Sequence, residues 1–416
     1  MSLATIISGY IAEFFLYVLA YGITFSNAAT EVGLGFIIFA FFLKYLFRGR
    51  HVWDTHPVTP VKEKKTVLMA IVICFVIFLS ILFISYLRSP YPKESSRVFF
   101  RILRFFFLYF AAWDFFHGNE KRMGRFFWGL MIIAGFTFLN GIFQGIFGFD
   151  ILRHKTISAD DTLRRLCGSF VHPNDFAAYL ITVLPLTFLF LSKSLTRVKR
   201  IILIILCVLG LYCLLRTSSR SGWIGFAVGM LIFFFYYNKK LVLLVPVAGL
   251  ALVLLVPHGL ERTANLFKNE HNTVWERKQL WKGTWEMVKV HPVLGFGLNT
   301  YSRVFPQYKP AEYPDLRYTH NSYLQMLSEI GFVGLLSFLS IIVAVLSAVL
   351  SRFKQKIKNE PQGLILLGLF AGYIGFLVQA TFDTNFFSLV LTTHFWVWTA
   401  YMVALSQVLR QKTRKA

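Results

Sequence analysis

Residues 66–87 read Thr-Val-Leu-Met-Ala-Ile-Val-Ile-Cys-Phe-Val-Ile-Phe-Leu-Ser-Ile-Leu-Phe-Ile-Ser-Tyr-Leu, a run without a charged side chain. A bilayer has a hydrocarbon core of about 30 Å, which an α-helix of about 20 apolar residues can cross. Similar runs recur along a chain that is 56% hydrophobic and 15% charged, whereas soluble domains carry about 25% charged residues. The sequence therefore predicts an all-α, polytopic membrane protein.

Apolar runs of spanning length predict about twelve helices. The run near 98–116 is the least regular, since Arg101 and Arg104 interrupt it. No basic segment precedes the first run and no small-residue cleavage site follows it, so we expect an uncleaved first helix. The predicted helices lie near residues 3–25, 29–46, 66–87, 98–116, 125–147, 175–192, 201–216, 221–237, 241–257, 332–351, 362–381 and 386–408.

Lysine and arginine are concentrated in one set of short connectors, which predicts the orientation. Connectors rich in these residues stay in the cytoplasm, so both termini are predicted to be cytoplasmic and the large loop 258–331 periplasmic. We divide the chain into N-terminal helices (1–167), a motif-bearing region (168–331) and C-terminal helices with a basic tail (332–416). The basic connectors are 44–65, 121–125, 193–200, 239–240, 352–358 and 410–415.

Charge and cysteine content exclude several classes of protein. The net charge of +23 fits membrane orientation and anionic lipid headgroups, and no nucleic-acid-binding module is present. The four cysteines are scattered and have neither disulfide-framework nor metal-ligand spacing. The chain has no Asp-x-Asp, His-Glu-x-x-His, P-loop or Gly-x-Ser-x-Gly motif, so nothing predicts a metal, ATP or a serine nucleophile.

A tight turn between two apolar helices reads Arg216-Thr-Ser-Ser-Arg220-Ser-Gly-Trp223. Its two arginines lie on the predicted periplasmic side, against the usual charge bias. A guanidinium group can bind phosphate through two parallel hydrogen bonds, and free amides at the start of the next helix would add to an anion site. Alternatively, both side chains extend to lipid headgroups.

Residues 275–290 predict an amphipathic helix with Trp281, Trp285 and Val288 on one face. Arg277 precedes Trp281 by one turn, which would allow the two side chains to stack. The alternative is a helix that lies in the membrane interface and carries ordinary basic residues such as Lys278 and Lys282.

His320 precedes a long apolar run and is the candidate general base. Thr319 is a plausible N-cap, which would place His320 in the first turn of a helix. The positive end of a helix disfavours imidazolium, and a neutral imidazole is what a general base requires. Alternatively, it is an interfacial polar residue.

Two smaller polar segments share this face. Gly168-Ser-Phe-Val-His172-Pro-Asn174-Asp175 precedes one span, and Phe382-Asp383-Thr-Asn385 joins the last two. Both segments are equally compatible with helix capping. Arginines and a candidate base facing outward indicate transfer from a lipid diphosphate to a hydroxyl, with arginine charge stabilising the diphosphate that leaves.

In these segments the sequence resembles the O-antigen ligase and polymerase superfamily of bacterial inner-membrane glycosyltransferases. The motifs that carry the resemblance occur in the family's order, although His172 stands where the family usually has asparagine. They are Gly168–Asn174, Thr217–Trp223, Arg277-x-x-x-Trp281, His291-Pro-Val-Leu-Gly-Phe-Gly297-Leu-Asn299-x-Tyr301 and His320-Asn-Ser-Tyr-Leu-Gln-x-x-Ser-Glu-Ile-Gly331.

The resemblance implies a metal-independent, cofactor-free enzyme of the GT-C type with an undecaprenyl-diphosphate-linked glycan as donor. Arg220 and Arg277 match the family's essential arginines and would hold the diphosphate, with Arg216 as a further candidate. His320 matches the catalytic histidine and would activate the acceptor hydroxyl. Other candidate site residues are Asn174, Asn321, Asp175 and Asp383.

Chain size, span number and one large periplasmic loop fit best the ligase that joins O-antigen to lipid A-core. The polymerase, which extends a lipid-linked repeat unit, is the alternative. A flippase or transporter of lipid-linked sugars is a third possibility, but it needs charged residues along a path through the membrane. The polar motifs here lie on one face, which favours an enzyme.

Overall fold

The computed structural model describes residues 3–46, 62–157, 164–247, 249, 273–309, 318–353 and 360–415. These residues form α-helices and connecting turns with no β-strand, apart from one isolated bridge between Phe149 and Thr156. The all-α prediction is confirmed. The helices are α1 (Leu3–Phe25), α2 (Asn27–Leu46), α3 (Lys62–Arg88), α4 (Pro92–Phe116), α5 (Glu120–Phe147), α6 (Pro173–Thr187), α7 (Arg197–Arg216), α8 (Arg220–Tyr237), α9 (Thr273–Val290), α10 (Ser322–Phe353), α11 (Pro361–Gln379) and α12 (Leu389–Lys415).

In the described part of the chain, ten helices are long and apolar enough to cross a membrane: α1–α3, α5–α8 and α10–α12. This confirms a multi-pass membrane protein. Helix α4 has 25 residues, which is sufficient length, but it is less apolar than the others. The span predicted at 241–257 lies largely outside the described residues.

Two charged side chains of α4, Arg104 and Asp114, find partners on α2, which helps this helix to pack inside the bundle. Arg104 Nη1 lies 2.6 Å from Glu31 Oε2. Lys44 forms an ion pair with Asp114, and the Tyr45 hydroxyl donates to the same carboxylate at 3.0 Å. Paired charges are tolerated at membrane depth far better than isolated ones. Helix α4 also packs against α3 and α12.

Helices α8 and α11 cross closely because small residues face each other. A Cβ atom at Gly225 would lie 2.6 Å from the Gly375 carbonyl oxygen, and one at Gly229 would lie 2.6 Å from the Ala371 carbonyl oxygen. Small residues one turn apart are a common way to bring membrane helices into close contact. The crossing holds α8, which begins at Arg220, against the helix that leads to Asp383.

Helix α10 is interrupted at Gly331. The φ of +67° and ψ of −174° at this residue belong to a region that is essentially open only to glycine. The helix predicted to begin at residue 332 instead begins at Ser322 and has a break at Gly331, which corrects the sequence prediction. Residues 292–297 supply backbone partners at the break: the Phe332 amide donates to the Pro292 carbonyl at 2.8 Å, and the Gly297 amide donates to the Glu329 carbonyl at 2.9 Å.

Helix α9 confirms the predicted helix, and one of its faces is buried. Leu280, Thr284 and Met287 are buried, as is Val288, whereas Trp285 is 45% exposed. The face follows Leu280 and Met287 because these side chains pack against a small apolar cluster formed with residues 301–305. Of the three residues predicted to share a face, Val288 is buried, Trp281 is partly buried against this cluster, and Trp285 is exposed.

Segments predicted to share a membrane face meet at the same end of the bundle. At one end, Gln362 donates to Glu120 at 3.3 Å, and the His117 ring lies 3.1 Å from Gln407. At the other end, residues 165–175, 217–220, 318–322 and 380–385 come together. The second group contains most of the candidate functional residues.

Candidate active site

His320 lies just before α10 rather than inside it. The Asn321 side chain accepts a hydrogen bond from the Leu324 amide at 3.0 Å, so Asn321 is the N-cap. Thr319 instead forms a local turn, its hydroxyl donating to the Asn321 carbonyl at 2.6 Å. The prediction that Thr319 caps the helix and His320 occupies its first turn was wrong, because the φ of +52° at His320 is incompatible with a right-handed helix.

The positive φ of His320 is a sparsely populated conformation for a residue with a side chain. Such conformations occur most often at functional sites, where surrounding structure enforces them. Here the next residues are fixed on both sides: Trp281 Nε1 donates to the Thr319 carbonyl at 3.0 Å, and the Ser322 amide donates to the Asp383 carbonyl at 3.0 Å. Both contacts hold the histidine in this conformation.

Asp383 is the partner of the His320 ring. Its Oδ1 lies 3.4 Å from His320 Nδ1, and the carboxylate side chain is only 11% exposed against 40% for the histidine. Burial raises the pKa of Asp383. The hydrogen bond and charge of His320 lower it, as do the charge of Arg277 and the Thr384 amide. These lowering effects are together larger, so the pKa of Asp383 lies below its ordinary value. An ionised carboxylate accepts only, which assigns the proton to Nδ1 and leaves Nε2 of a neutral ring with a free lone pair.

A chain of hydrogen bonds continues from Asp383 to the arginine-rich turn. Asn174 Nδ2 donates to Asp383 Oδ2 at 2.7 Å, and Asn174 Oδ1 accepts from Arg165 Nη2 at 3.0 Å. Arg165 Nε donates to the Thr217 carbonyl at 2.8 Å. The Asn174 backbone is also held, because Gln379 Nε2 donates to its carbonyl at 3.0 Å. Three segments distant in sequence are thereby joined beside His320.

The sequence analysis missed Arg165. Its signal was a basic residue on the predicted outer face, three positions before the Gly168 motif, but nothing in the sequence pointed to Asn174 as its partner. Lys155 was also missed. Its ammonium group donates to the Phe170 carbonyl at 2.5 Å and fixes the loop before α6.

Two further side chains of this loop lie within electrostatic range. The charges of Asp175 and Asp383 interact. His172 is partly open to solvent. Its pKa lies below its ordinary value, mainly because the ring is partly desolvated and secondly because of the charge of Lys155. Its charge also interacts with those of His320 and Asp383.

Arg277 lies on α9, and its charge interacts with that of Asp383. The stacking of Arg277 on Trp281 that the spacing predicted does not occur between these two described residues. Instead, the Trp281 indole is used for its hydrogen bond to the Thr319 carbonyl. Helix α9 thus contributes an arginine to the site and a hydrogen bond to the segment that contains His320.

Arg216 and Arg220 flank the turn between α7 and α8, and both are exposed. The Gly222 amide, which we predicted to help bind an anion, is already capped by the Ser219 hydroxyl at 3.3 Å. The turn reaches the site through its backbone: the Leu166 amide donates to the Arg216 carbonyl at 3.0 Å, next to the contact of Arg165. Arg220 begins α8 three residues after Thr217.

These features define a multi-pass membrane protein with a histidine–carboxylate pair and several arginines at one end of its helices. Residues 205–339 match the O-antigen ligase family, a stretch that contains Arg216, Arg220, Arg277 and His320. Over this stretch the chain is similar to that family.

The chain is also similar to a curated protein. Over 267 residues the chain is 23% identical to the teichuronic acid biosynthesis protein TuaE of Bacillus subtilis (strain 168). The alignment covers 58% of this chain and 52% of the relative, so the chain spans about half the length of the relative it matches. Asn174 and Asp383 lie outside the matched family region of 205–339.

Proposed function

We propose that this protein is a glycosyltransferase that moves a glycan from undecaprenyl diphosphate to a sugar hydroxyl, with His320 as general base. The observation that carries the proposal is the His320–Asp383 pair, in which Nδ1 lies 3.4 Å from Oδ1. The Asp383 carboxylate also interacts with the charge of Arg277. A base with an anionic partner and an adjacent arginine matches what transfer from a diphosphate requires.

Arg220 and Arg277 bind the diphosphate of the donor, with Arg216 as a further contact. Negative charge accumulates on the diphosphate as its bond to the sugar breaks. Planar guanidinium groups can stabilise that charge through paired hydrogen bonds. In this proposal no metal ion takes part, so EDTA should leave transfer intact. Inhibition by EDTA that a divalent ion reverses would contradict this point.

His320 acts on the other substrate. Nε2 takes the proton of the acceptor hydroxyl while the hydroxyl oxygen forms a bond to the anomeric carbon. The bond from that carbon to the diphosphate oxygen breaks on the opposite side, so the configuration inverts and undecaprenyl diphosphate leaves. Asp383 holds the ring through Nδ1 and stabilises the imidazolium that forms, as carboxylates do for other catalytic histidines.

Asn174 and Arg165 position this pair. Their hydrogen bonds hold Asp383 Oδ2 and connect it to the turn that carries Arg220. Asn174 thus belongs to the site because it connects Asp383 to Arg165. Asn321 caps α10, and the Asp175 carboxyl lies within electrostatic range of Asp383. A direct role of either in transfer stays a prediction.

The acceptor is proposed to be lipid A-core, as in an O-antigen ligase. A polymerase that extends a lipid-linked repeat unit is the second candidate, and the similarity to a protein named for teichuronic acid biosynthesis favours it. Both candidates use the same donor chemistry and the same base, and they differ in the molecule that carries the attacking hydroxyl.

The test is transfer by the purified protein in nanodiscs, with a labelled undecaprenyl-diphosphate-linked glycan as donor. Lipid A-core and a second lipid-linked repeat unit are offered separately as acceptors. Product on lipid A-core supports the ligase, and a lengthened lipid-linked glycan supports the polymerase. If neither acceptor receives glycan from an intact, folded protein, the proposed function is contradicted.

We further propose that the site faces the periplasm of a bacterial inner membrane and that both termini are cytoplasmic. Lys278 on α9 and Lys240 beyond α8 are exposed and suit cysteine labelling after replacement of the native cysteines. An impermeant reagent added outside spheroplasts should label Lys278→Cys and not Lys240→Cys. The reverse pattern would invert the orientation.

A further inference from the structure

Helix α4 carries three arginines on one face. Arg97, Arg101 and Arg104 are spaced four and three residues apart, which places them along one side of a helix. The start of α4 is tied to the outer segment that docks against α10. Ser95 Oγ donates to the Leu298 carbonyl at 2.5 Å, and Asn299 Nδ2 donates to the Glu94 carbonyl at 3.3 Å. The arginine row therefore starts at the end of the bundle that contains His320.

The row runs along α4 from the end of the bundle that contains His320 toward the middle of the helix. With a rise of 1.5 Å per residue, Arg101 lies about 13 Å along the helix from Pro92, and Arg104 lies about 18 Å along it. Arginines at such depth are costly and usually mark a functional path or site. Phe100, on the adjacent part of the helix surface, is 57% exposed, so this side of α4 can be reached from the lipid.

The three arginines differ in their partners. Arg104 is paired with Glu31 at 2.6 Å. Among the described residues, Arg97 and Arg101 make no hydrogen bond or ion pair. The charge of Arg101 interacts with Glu329 and with Tyr318.

Glu329 is not available as a close partner for Arg101. Its carboxylate accepts from the Asn299 amide at 2.9 Å, from the Tyr301 amide at 3.3 Å and from Gln325 Nε2 at 3.3 Å. Tyr318, a further group in electrostatic range of Arg101, precedes His320 by two residues. Arg101 thus lies near the segment that carries the base, and Arg97 lies about one helical turn before Arg101 on the same side of α4.

We propose that Arg97 and Arg101 bind the phosphate of a second lipid substrate, the acceptor, while Arg220 and Arg277 hold the donor. This inference rests on the proposed function, because it assigns the acceptor to a membrane lipid that bears phosphate. Helix α4 packs against α2, α3 and α12, whereas α8 packs against α6 and α11. Arg97 and Arg101 therefore belong to a different group of helices from Arg220, as two lipids that reach one base from different sides require.

Lipid binding can be counted independently of activity. The probe is a polyprenyl monophosphate in phosphatidylcholine nanodiscs, and native mass spectrometry reports how many molecules stay bound. The Arg220→Ala/Arg277→Ala protein should retain one bound probe. Adding Arg97→Gln and Arg101→Gln should weaken that binding roughly 10- to 100-fold, the worth of one or two charged hydrogen bonds.

Arg88→Gln is the matched control, since Arg88 is exposed at the end of α3 on the same face, and it should leave binding unchanged. Undiminished binding after the α4 substitutions would overturn the proposal. Equal binding of phosphatidylglycerol would also overturn it, because the arginines would then contact only bulk lipid headgroups.

Kinetics separate this proposal from the proposed function. In the otherwise native protein, Arg101→Gln should raise the KM for the acceptor roughly tenfold or more and leave the KM for the donor unchanged. Active protein with an unchanged acceptor KM would contradict the second lipid site and leave the glycosyltransferase proposal standing. Absence of transfer by the wild type to any acceptor would contradict the proposed function. The number of bound probe molecules in the mass spectrum would still test the α4 site.

Discussion

One histidine, His320, lies at the end of the bundle that holds the candidate site, and another, His394, lies in the interior. Their surroundings differ. His320 is 40% exposed and faces a carboxylate. His394, on α12, is 4% exposed, and its Nε2 lies 2.8 Å from the Thr182 hydroxyl. That hydroxyl donates its single proton to the Tyr179 carbonyl at 2.6 Å, so the His394 ring must be the donor.

The difference shows that partner and access, rather than residue type, make a histidine a base. The Nε2 proton of His394 is committed to a hydroxyl, and the ring lines an apolar cavity with Tyr179 and Trp398. A protonated ring there would lack a counter-ion. In His320 the anionic partner occupies Nδ1, and Nε2 can meet a substrate. The following substitutions test that contrast.

The largest effect is expected for His320→Ala. A positioned base contributes about 10²–10⁴-fold to rate, so most transfer should be lost, while donor binding should survive because the arginines hold the diphosphate. His320→Gln, which keeps a hydrogen bond but cannot take up a proton usefully, should be nearly as slow. Transfer is measured with labelled donor in nanodiscs.

His394→Gln is the control from the interior, since glutamine can still donate to Thr182. Near-wild-type transfer is expected. Equal losses in the His320 and His394 variants, with both proteins folded, would contradict the contrast between the two regions. Near-normal turnover of His320→Gln would reduce His320 to a structural role.

A smaller loss is expected for Arg277→Ala. Removing one donor to a developing negative charge costs about 10²–10³-fold in other enzymes, and Arg220→Ala should behave alike. Arg277→Lys should recover little, because an ammonium group lacks the planar fork. The control is Lys278→Gln at the exposed next position of α9, which should retain activity. Full activity of Arg277→Lys would reduce the role of Arg277 to bulk charge.

Asp383→Asn is expected to slow transfer by up to about 10²-fold, the cost of misplacing a catalytic group. Because the pKa of Asp383 lies below its ordinary value, the carboxylate stays ionised between pH 5 and 8. The charge of Asp383 should therefore be present throughout that range, and the advantage of the wild type over the variant should disappear only as the pH falls through the low pKa of Asp383. Wild-type turnover of the folded Asp383→Asn protein at pH 7 would contradict the role of Asp383.

The sequence predicted the helices well where composition alone decides them. The run 66–87 became α3, and the apolar runs after it that the structure describes became helices at nearly the predicted positions. The break at Gly331 was not predictable in this way, because apolar residues continue through it. It depends on residues 292–297, which are distant in sequence and occupy the space beside the glycine.

Candidate site residues could be named from the sequence, but their connections could not. His320, Arg277 and Asp383 were candidates, and the structure brings their charges together. The role of Arg165 depends on a side-chain hydrogen bond to Asn174 and a backbone contact to Thr217. Backbone contacts of this kind leave no residue-type signature, since any residue at position 217 offers a carbonyl.

Arg165→Lys should have the smallest effect, roughly tenfold in kcat, the worth of about one charged hydrogen bond. Lysine keeps the positive charge but cannot contact Thr217 and Asn174 together through a planar group. Arg164 supplies a matched control, because it is adjacent and exposed, and Arg164→Lys should leave kcat unchanged. A purely structural Arg165 would lower the amount of folded protein without changing the turnover of what remains. If Arg165 positions Asp383, turnover of the folded fraction falls, and adding Asp383→Asn to Arg165→Lys should cost little more than Asp383→Asn alone. Losses that multiply in the double variant would show that the two residues act independently.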